Sequence, residues 1–383
     1  MHLAGTRLWA ARIGVIAAIA VAIVAIELTI APERGGASSG GAGAPALTAE
    51  PGRSAASLKG PAAPEIRSIA AWINTPPLTL EGLRGKVVLV DFWAYSCVNC
   101  IRTVPYLQDW NAKYASRGLV IIGLHAPEFD FERSEANVRA AVVKQGITWP
   151  VGLDNDFATW NAYRNRYWPR KYLIDRDGAI RYDRIGEGAY IETETQIRKL
   201  LAEIGAGVDD LSLGGVAARQ NSGERITREL YAGYGWANGS YLGNPVSGGN
   251  DRPAQYAASG ERADGKLYLH GAWQVGNESV RHAAATAGFE DAVGIRFTAA
   301  SVNAVIRPGA PGRFDVLAAI DGAPIPEALR GGDIKVDGEG RTYFTVDEPR
   351  LYNVVRGDAV VTRNLDLRVN SADFVLYTFT FGS

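Results

Sequence analysis

The chain has 383 residues, and its 40 lysines and arginines nearly balance its 41 aspartates and glutamates. A net charge this close to zero excludes the strongly basic surface typical of nucleic-acid-binding proteins, so no nucleic acid is expected among its partners. The length is sufficient for two hydrophobic cores, which favours more than one domain.

The N-terminal segment, residues 1–31, has the pattern of a membrane anchor. Arg7 and Arg12 precede the apolar run Ile13–Ala31, whose only charge is Glu27. Such a run nearly spans a bilayer. Under the positive-inside rule the two arginines stay in the cytoplasm, which predicts a single-pass protein of the cell membrane with its bulk outside the cytoplasm.

A cleaved signal peptide is the alternative for this segment, because the uncharged stretch 13–26 also has the length of a hydrophobic signal core. No small-x-small cleavage site follows closely, since Ala42-Gly43-Ala44 lies well downstream, and the uncleaved anchor is therefore favoured. If cleavage occurred, the protein would be secreted. In both cases the cysteines reach a compartment where disulfides persist.

Residues 32–64 have the composition of a flexible tether. They are rich in Gly, Ala, Pro and Ser, as in the run Gly-Gly-Ala-Ser-Ser-Gly-Gly at 35–41. They lack the apolar residues needed to bury a core. Such a tether would hold a folded domain near a membrane.

The next region, residues 65–204, alternates between strand-like and helix-like segments, which favours an α/β domain with a central sheet. Strands are predicted at Val87–Phe92, Leu119–His125, Trp149–Leu153, Lys171–Asp175 and Ala179–Arg184. Helices are predicted from the cysteines to about Arg117, and over Ser134–Gln145, Phe157–Tyr163 and Glu192–Ile204.

Cys97 and Cys100 follow the first of these strands, and the chain has no other cysteines. Two residues between thiols let both sulfurs meet on the first turn of a helix, where one can attack a foreign disulfide and the other can then displace it. A structural disulfide is the alternative, although so short a loop removes little entropy from the unfolded chain. Zinc is disfavoured because none of the four histidines has a paired spacing near the cysteines.

A Gly-rich linker at 205–225 leads into residues 226–383, where short alternating runs recur between turns. This pattern predicts a β-sandwich of jelly-roll type. The runs are Lys266–Leu269, Gly294–Phe297, Ala304–Ile306, Phe314–Ile320, Arg341–Val346, Leu365–Val369 and Phe374–Phe381. Asp-Gly pairs at 264–265, 321–322 and 337–338 are turn signals between them.

The sequence around the cysteines resembles the thioredoxin superfamily. The run Val90-Asp91-Phe92-Trp93-Ala94 before Cys-x-x-Cys, and Pro105 five residues after the second cysteine, resemble that family's central strand and kinked helix. Tyr167-Trp168-Pro169, followed by residues 171–175, resembles the segment that carries the family's cis-proline beside the active site.

Longer stretches resemble the extracytoplasmic region of DipZ-type proteins, which are related to the TlpA and ResA reductases. These stretches are residues 123–129 and 160–163, and, in the C-terminal region, residues 229–235 and 346–352. In DipZ-type proteins the thioredoxin-like unit is followed by a domain that looks like a carbohydrate-binding module. The resemblance therefore implies a binding or docking role for residues 226–383, with a glycan as a possible ligand.

The resemblance also implies roles for particular residues. Cys97 is the exposed nucleophile at a helix N-terminus that stabilises its thiolate, Cys100 is the resolving thiol, and the two cycle through a redox-active disulfide. Asp91 is a buried carboxylate that relays a proton to or from Cys100, with exposure at the strand end as the alternative. Pro169 is cis, and the backbone at Trp168 hydrogen-bonds an extended substrate.

The implied function is that of a membrane-tethered thiol-disulfide oxidoreductase, more specifically a reductase of protein disulfides that needs no cofactor. DipZ-type proteins usually carry a multi-helix membrane domain that delivers electrons, whereas this chain has one candidate span. A separate membrane electron donor or acceptor is therefore expected. The alternative is an envelope protein that binds carbohydrate or protein and has a redox-inert thioredoxin-like unit.

Two departures from thioredoxins lie in the motif itself. Val98-Asn99 replaces the usual Gly-Pro, and Tyr95-Ser96 alters the surface that a partner touches. A peroxiredoxin-like enzyme is a lesser alternative. It is disfavoured because Ala94 stands three residues before Cys97, where those enzymes carry a hydroxyl residue. His125 and Glu128 are placed in a loop beside the site, with the histidine expected to be solvated.

Three aromatic residues of the C-terminal region, Trp236, Tyr241 and Trp273, are candidates for stacking on sugar rings. Aromatic residues of a sandwich more commonly fill its core, so no sugar site is assigned to them.

Overall fold

A computed structural model of the chain describes residues 59–217, 223–235, 241–245, 249–258, 260–310 and 312–383. The predicted membrane segment and most of the predicted tether lie outside these ranges. No helix within them is long and apolar enough to cross a membrane. The end of the predicted tether is part of the fold, because Ala63 N donates to Gly178 O and Ile180 N donates to Pro61 O, both at 2.9 Å.

Residues 59–217 form an α/β domain around one mixed sheet. Its strands are β1 (Trp72–Ile73), β2 (Val87–Trp93), β3 (Leu119–His125), β4 (Val151–Leu153), β5 (Arg170–Ile174) and β6 (Ile180–Ile185). Its helices are α1 (Val98–Tyr114), α2 (Glu135–Lys144), α3 (Ala158–Ala162) and α4 (Tyr190–Glu203), with 3₁₀ turns at Ala115–Arg117 and Asp130–Arg133. The prediction of an α/β domain is confirmed, and every predicted strand and helix of this region is present.

Strand β2 lies near the centre of this sheet, whose order is β1-β4-β3-β2-β5-β6. It is parallel to β3 and antiparallel to β5, with Asp91 opposite Gly123 on one side and Lys171 on the other. Every residue of β2 is buried, as a near-continuous apolar sequence covered on both faces predicts. The Cys-x-x-Cys turn therefore follows a strand that is buried along its whole length.

Helix α1 begins directly after Cys97, whose sulfur accepts the backbone N–H of Cys100 and so caps the helix. Val104, Leu107 and Trp110 repeat every three residues and are buried on one face of the helix. Pro105 lies inside the helix, where its ring nitrogen cannot donate the usual hydrogen bond one turn back. The apolar face is what fixes the first turn, with both cysteines, against the sheet.

The C-terminal region from residue 226 is all-β within the described residues, apart from a 3₁₀ turn at Glu327–Leu329. Its strands are β7 (Leu230–Tyr231), β8 (Pro253–Tyr256), β9 (Leu267–Val275), β10 (Val280–His282), β11 (Asp291–Pro308), β12 (Phe314–Ile320), β13 (Ala323–Pro324), β14 (Lys335–Val336), β15 (Thr342–Val346), β16 (Arg350–Val369) and β17 (Phe374–Gly382). They join into an antiparallel sheet of 11 strands. The prediction of an all-β region after the α/β domain is confirmed.

Two long strands replace several of the short ones that the sequence predicts. The runs at 294–297 and 304–306 are parts of the single strand β11, and 365–369 is the end of β16. The register between β11 and β16 shifts between Ala299 and Ser301, so that Ala299 and Ala300 are both buried. A bulge of this kind breaks the alternation of buried and exposed residues on which the prediction of separate strands depended.

The C-terminal region packs against the α/β domain through aromatic side chains. The ring centroids of Phe131 and Tyr377 are 4.7 Å apart, and those of Phe129 and Tyr377 are 5.0 Å apart. The Tyr95 hydroxyl donates to Pro349 O at 3.2 Å. The four rings belong to the hydrophobic cluster that also contains α1 and part of β2, so one continuous core joins both regions beside the cysteines.

Candidate active site

Cys97 and Cys100 face each other across the first turn of α1. Their sulfur atoms are 2.6 Å apart, and Cys100 N lies 3.3 Å from Cys97 Sγ. Cys97 is partly exposed, whereas Cys100 is buried with 2% of its surface accessible. This asymmetry fits an attacking thiol that a partner can reach and a resolving thiol that it cannot.

Burial raises the pKa of the Cys97 thiol well above its ordinary value. The Cys100 thiol and the charge of Glu128 act in the same direction, and only the backbone N–H of Cys100 lowers the pKa. The sequence predicts that the helix N-terminus stabilises the Cys97 thiolate. One hydrogen bond does so in the structure, whereas the other neighbouring groups disfavour the thiolate. Desolvation by burial is the largest influence on this pKa and outweighs the hydrogen bond from the helix N-terminus.

Asp91 lies in β2 and is buried, with 3% of its surface accessible. Its Oδ1 is 3.9 Å from Nζ of Lys171, which is opposite it in β5 and is also fully buried. Burial raises the pKa of Asp91 to about 6, and the Lys171 charge limits the rise. Burial likewise lowers the pKa of Lys171, while Asp91 and the two thiols oppose this shift.

Lys171 was predicted only as part of a strand, without a role in the site. A signal was present, since a lysine two residues after Pro169 interrupts the apolar pattern of a central strand. Within the described residues neither Lys171 Nζ nor Asp91 Oδ1 has a hydrogen-bond partner. The Asp91 carboxylate and the Lys171 ammonium therefore compensate each other's buried charge, and the two thiols act on the lysine as well.

The peptide bond between Trp168 and Pro169 is cis, as the resemblance implied. Pro169 directly precedes β5, whose Arg170 is opposite Phe92 near the end of β2, so it lies at the same edge of the sheet as the cysteines. Trp168 Nε1 donates to Ala126 O at 2.9 Å, which fixes the side chain against the loop after β3.

The expectation of a solvated His125 is wrong. His125 is the last residue of β3 and is fully buried, and its Nε2 accepts the backbone N–H of Tyr95 at 3.3 Å. Burial lowers the pKa of His125 to about 3, so the imidazole is neutral. The hydrogen bond from Tyr95 makes His125 a support for the turn before Cys97. The histidine is buried because it ends a strand that is covered on both faces.

Glu132 is a second acid that the sequence reasoning missed, and it is fully buried in the 3₁₀ turn after β3. Its Oε1 accepts from Ser96 N at 3.1 Å and from Ser96 Oγ at 2.7 Å. Its Oε2 accepts from Glu128 N at 2.6 Å and from Phe129 N at 3.1 Å. Burial raises the pKa of Glu132, and these hydrogen bonds oppose the shift. The carboxylate joins the loop after β3 to the residue before Cys97.

A cavity of about 880 Å³ lies beside the motif, between the starts of α1 and α4 and the end of β17. Asn99, Arg102, Glu187, Tyr190 and Phe381 are among its lining residues. The cavity is large enough for several side chains of a partner. Within the described residues, no group of three or more His, Cys, Asp or Glu side chains is arranged to hold a metal ion.

The three candidate sugar-stacking residues do not form a common surface in the part of the chain that the structure describes. Trp273 is fully buried in the core of the C-terminal region, and Tyr241 packs partly buried against the same core. Trp236 lies outside the described residues. Filling the core is therefore the role of Trp273, as expected for an aromatic residue of a sandwich.

Two family sequence models match the chain. The family described as Redoxin matches residues 58–201, and the family described as Thioredoxin like C-terminal domain matches residues 227–382. The two matches fall on the α/β domain and on the all-β region respectively.

Similar curated proteins include Protein DipZ of Mycobacterium tuberculosis, which is 34% identical over 327 residues, covering 84% of this chain and 43% of DipZ. Thiol-disulfide oxidoreductase ResA of Bacillus thuringiensis is 31% identical over 123 residues, covering 32% of this chain and 68% of ResA. Thiol-disulfide oxidoreductase YkuV of Bacillus subtilis is 29% identical over 141 residues, covering 37% of this chain and 94% of YkuV. The chain thus spans less than half the length of DipZ.

Proposed function

Because the chain belongs to the thioredoxin superfamily, in its branch of ResA- and DipZ-like thiol-disulfide oxidoreductases, we propose that it uses Cys97 and Cys100 to reduce disulfide bonds of proteins outside the cytoplasm. The contact between the two sulfurs, 2.6 Å apart with one exposed and one buried, is the observation that carries this proposal.

The reaction begins when the Cys97 thiolate attacks one sulfur of a substrate disulfide. A mixed disulfide forms, and the other substrate sulfur departs with the electron pair and takes up a proton. Cys100 then gives its proton to Asp91 and attacks Cys97 Sγ, which releases the second substrate thiol. The protein ends as a disulfide and the substrate as a dithiol, so two electrons have passed to the substrate.

Burial raises the pKa of the Cys100 thiol and the Asp91 charge adds to the shift, so Asp91 is near enough to act on the proton that Cys100 has to lose. With its own pKa raised to about 6, Asp91 is mostly ionised at neutral pH and can accept a proton. The Lys171 ammonium opposes protonation of Asp91 and so keeps the base ready. The backbone at Trp168 and Pro169 lies at the same sheet edge as the cysteines, and we assign to it the alignment of an extended substrate.

Membrane tethering and a location outside the cytoplasm are part of the proposal. They are supported by the arginines and the apolar run of residues 1–31. Two electrons are needed to reduce the Cys97–Cys100 disulfide again, and we assign their supply to a separate electron donor in the membrane. The C-terminal sheet, which we infer to close as a jelly-roll sandwich, would dock substrate or envelope components.

Single-turnover reduction of insulin by the pre-reduced full chain tests the proposal, with wild type compared with Cys97→Ser and Cys100→Ser. Cys97→Ser should be inactive. Cys100→Ser should form a mixed disulfide with insulin that dithiothreitol releases. Equal reduction of insulin by all three proteins would refute the use of the Cys-x-x-Cys pair.

A further inference from the structure

A group of three polar residues joins the two regions next to the cysteines. Glu128 comes from the loop after β3. Tyr231 lies in β7 of the C-terminal region, and Glu229 is the residue before that strand. The Tyr231 hydroxyl donates to Glu128 Oε1 at 2.5 Å. Glu229 Oε1 accepts from Thr378 Oγ1 of β17 at 3.2 Å. We call Glu128, Tyr231 and Glu229 the interface acid cluster.

Glu132 connects the loop that carries Glu128 to the residue before Cys97. One oxygen of its carboxylate accepts the backbone N–H of Glu128, and the other accepts that of Ser96, the residue before Cys97. Tyr231 and Cys97 pack on the same hydrophobic cluster. The position of Glu128 relative to Cys97 is therefore fixed from both sides, by Glu132 within the α/β domain and by Tyr231 from the C-terminal region.

The interface acid cluster is unusual because two of its residues are acids that share one partly buried site. Burial raises the pKa of Glu128 well above its ordinary value, and the charges of Glu229 and Glu132 add to the shift. Burial raises the pKa of Glu229 to about 7, opposed by hydrogen bonds from Thr378 and Tyr231. Two like charges at one site do not both form without a cost, so these acids lose their protons at a higher pH than exposed glutamates do.

The charge state of this pair acts on the nucleophile. A negative charge on Glu128 raises the pKa of Cys97, and the Cys97 charge in turn acts on Tyr231. The groups that face Glu128 are Tyr231 and Glu229 from the C-terminal region, Glu132 from its own loop, and the two thiols at the start of α1. A change in the interface is thus transmitted to the reacting sulfur as a change in local charge.

We propose that the C-terminal region completes the thiol site, because Tyr231 holds the Glu128 carboxyl by a hydrogen bond and Glu229 adds a second acid, so that together they control how readily Cys97 becomes a thiolate. Glu128, Tyr231 and Glu229 are positioning residues, since they act through Cys97 and not on the substrate. This inference rests on the proposed function and deepens it. It gives the C-terminal region a part in the chemistry in addition to any docking role.

The test measures the rate at which iodoacetamide alkylates Cys97 as a function of pH, in the full chain carrying Cys100→Ser so that only one thiol reacts. Glu128→Gln keeps the shape and removes the charge, and it should lower the midpoint of the alkylation profile by about one pH unit or more. Tyr231→Phe removes the hydrogen bond that favours the Glu128 carboxylate, and it should lower the midpoint by less.

Tyr234→Phe is the matched control, because it removes a hydroxyl three residues away that donates to Asp251 at 2.8 Å and not to the thiol site. It should leave the midpoint unchanged. An unchanged midpoint in Glu128→Gln would overturn the inference. In that case reduction of insulin by wild type would leave the proposed function standing, whereas a wild-type protein that does not reduce insulin would refute the proposed function itself.

Discussion

Acids act on the thiol pair from the sheet side and from the loop side, and they differ in what faces them. On the sheet side Asp91 faces the Lys171 ammonium at 3.9 Å, and its pKa is about 6. On the loop side Glu128 faces the hydroxyl of Tyr231 and a second acid, Glu229, and its pKa is raised well above the usual value. A carboxyl on the sheet side therefore loses its proton at a lower pH than a carboxyl on the loop side, because the neighbouring groups determine its pKa.

The largest effect is expected from breaking the buried pair on the sheet side. Lys171→Met leaves an uncompensated carboxylate beneath the thiols and should lower the free energy of unfolding by about 3 to 5 kcal/mol. Urea unfolding at pH 7 measures this loss. The double variant Asp91→Asn/Lys171→Met removes both charges and should lose far less. Equal losses in the single and double variants would show that Asp91 and Lys171 do not compensate each other.

The next effect concerns the rate at which the mixed disulfide is resolved. Asp91→Asn removes the proposed proton acceptor for Cys100 and should slow this step roughly 100-fold at pH 7, within the usual range for general-base catalysis. Acid quenching of single-turnover insulin reduction follows the mixed disulfide directly. In wild type the step should slow as pH falls below about 6, because Asp91 becomes protonated there.

Asp91→Asn should lose this dependence on pH near 6, which a purely structural role would not predict. A variant that resolves slowly but keeps the wild-type pH profile would assign the profile to another group. Its unfolding midpoint, measured in parallel, separates slow chemistry from partial unfolding.

Much of the sheet side could be predicted from the sequence. The strand, the cysteines, Asp91 and the cis bond before Pro169 lie in short segments whose local pattern carries the information. Lys171 was missed because its partner is on another strand, and only the register of β2 and β5 places them opposite each other. His125 was misjudged because the sequence shows where a strand ends but not that the rings of Trp93 and Tyr95 pack against that end.

The loop side could not be predicted in the same way. Tyr231 and Glu128 are 103 residues apart in the chain, and they meet only because β7 and β17 pack over the loop after β3. No local pattern encodes such a contact. The prediction of separate short strands for β11 failed for a related reason, since pairing with β16 continues through a bulge that interrupts the local alternation.

A smaller effect is expected on the loop side, where Glu132 can be changed without touching either thiol. Glu132→Gln keeps one oxygen acceptor but loses the charge that strengthens its hydrogen bonds to Ser96, Glu128 and Phe129. We expect a loss of about 2 kcal/mol in the free energy of unfolding, because hydrogen bonds to a charged group are the stronger ones. Urea unfolding at pH 7 measures it.

Glu135→Gln is the control, since Glu135 pairs with Arg139 at the surface with 49% of each side chain accessible, and its loss should cost about 0.5 kcal/mol or less. If both variants were equally stable, the Glu132 carboxylate would not be what holds the loop. If Glu132→Gln is the less stable and its Cys97 alkylation profile also shifts, then the loop that carries Glu128 is positioned through Ser96, and the two sets of acids differ in mechanism as well as in charge.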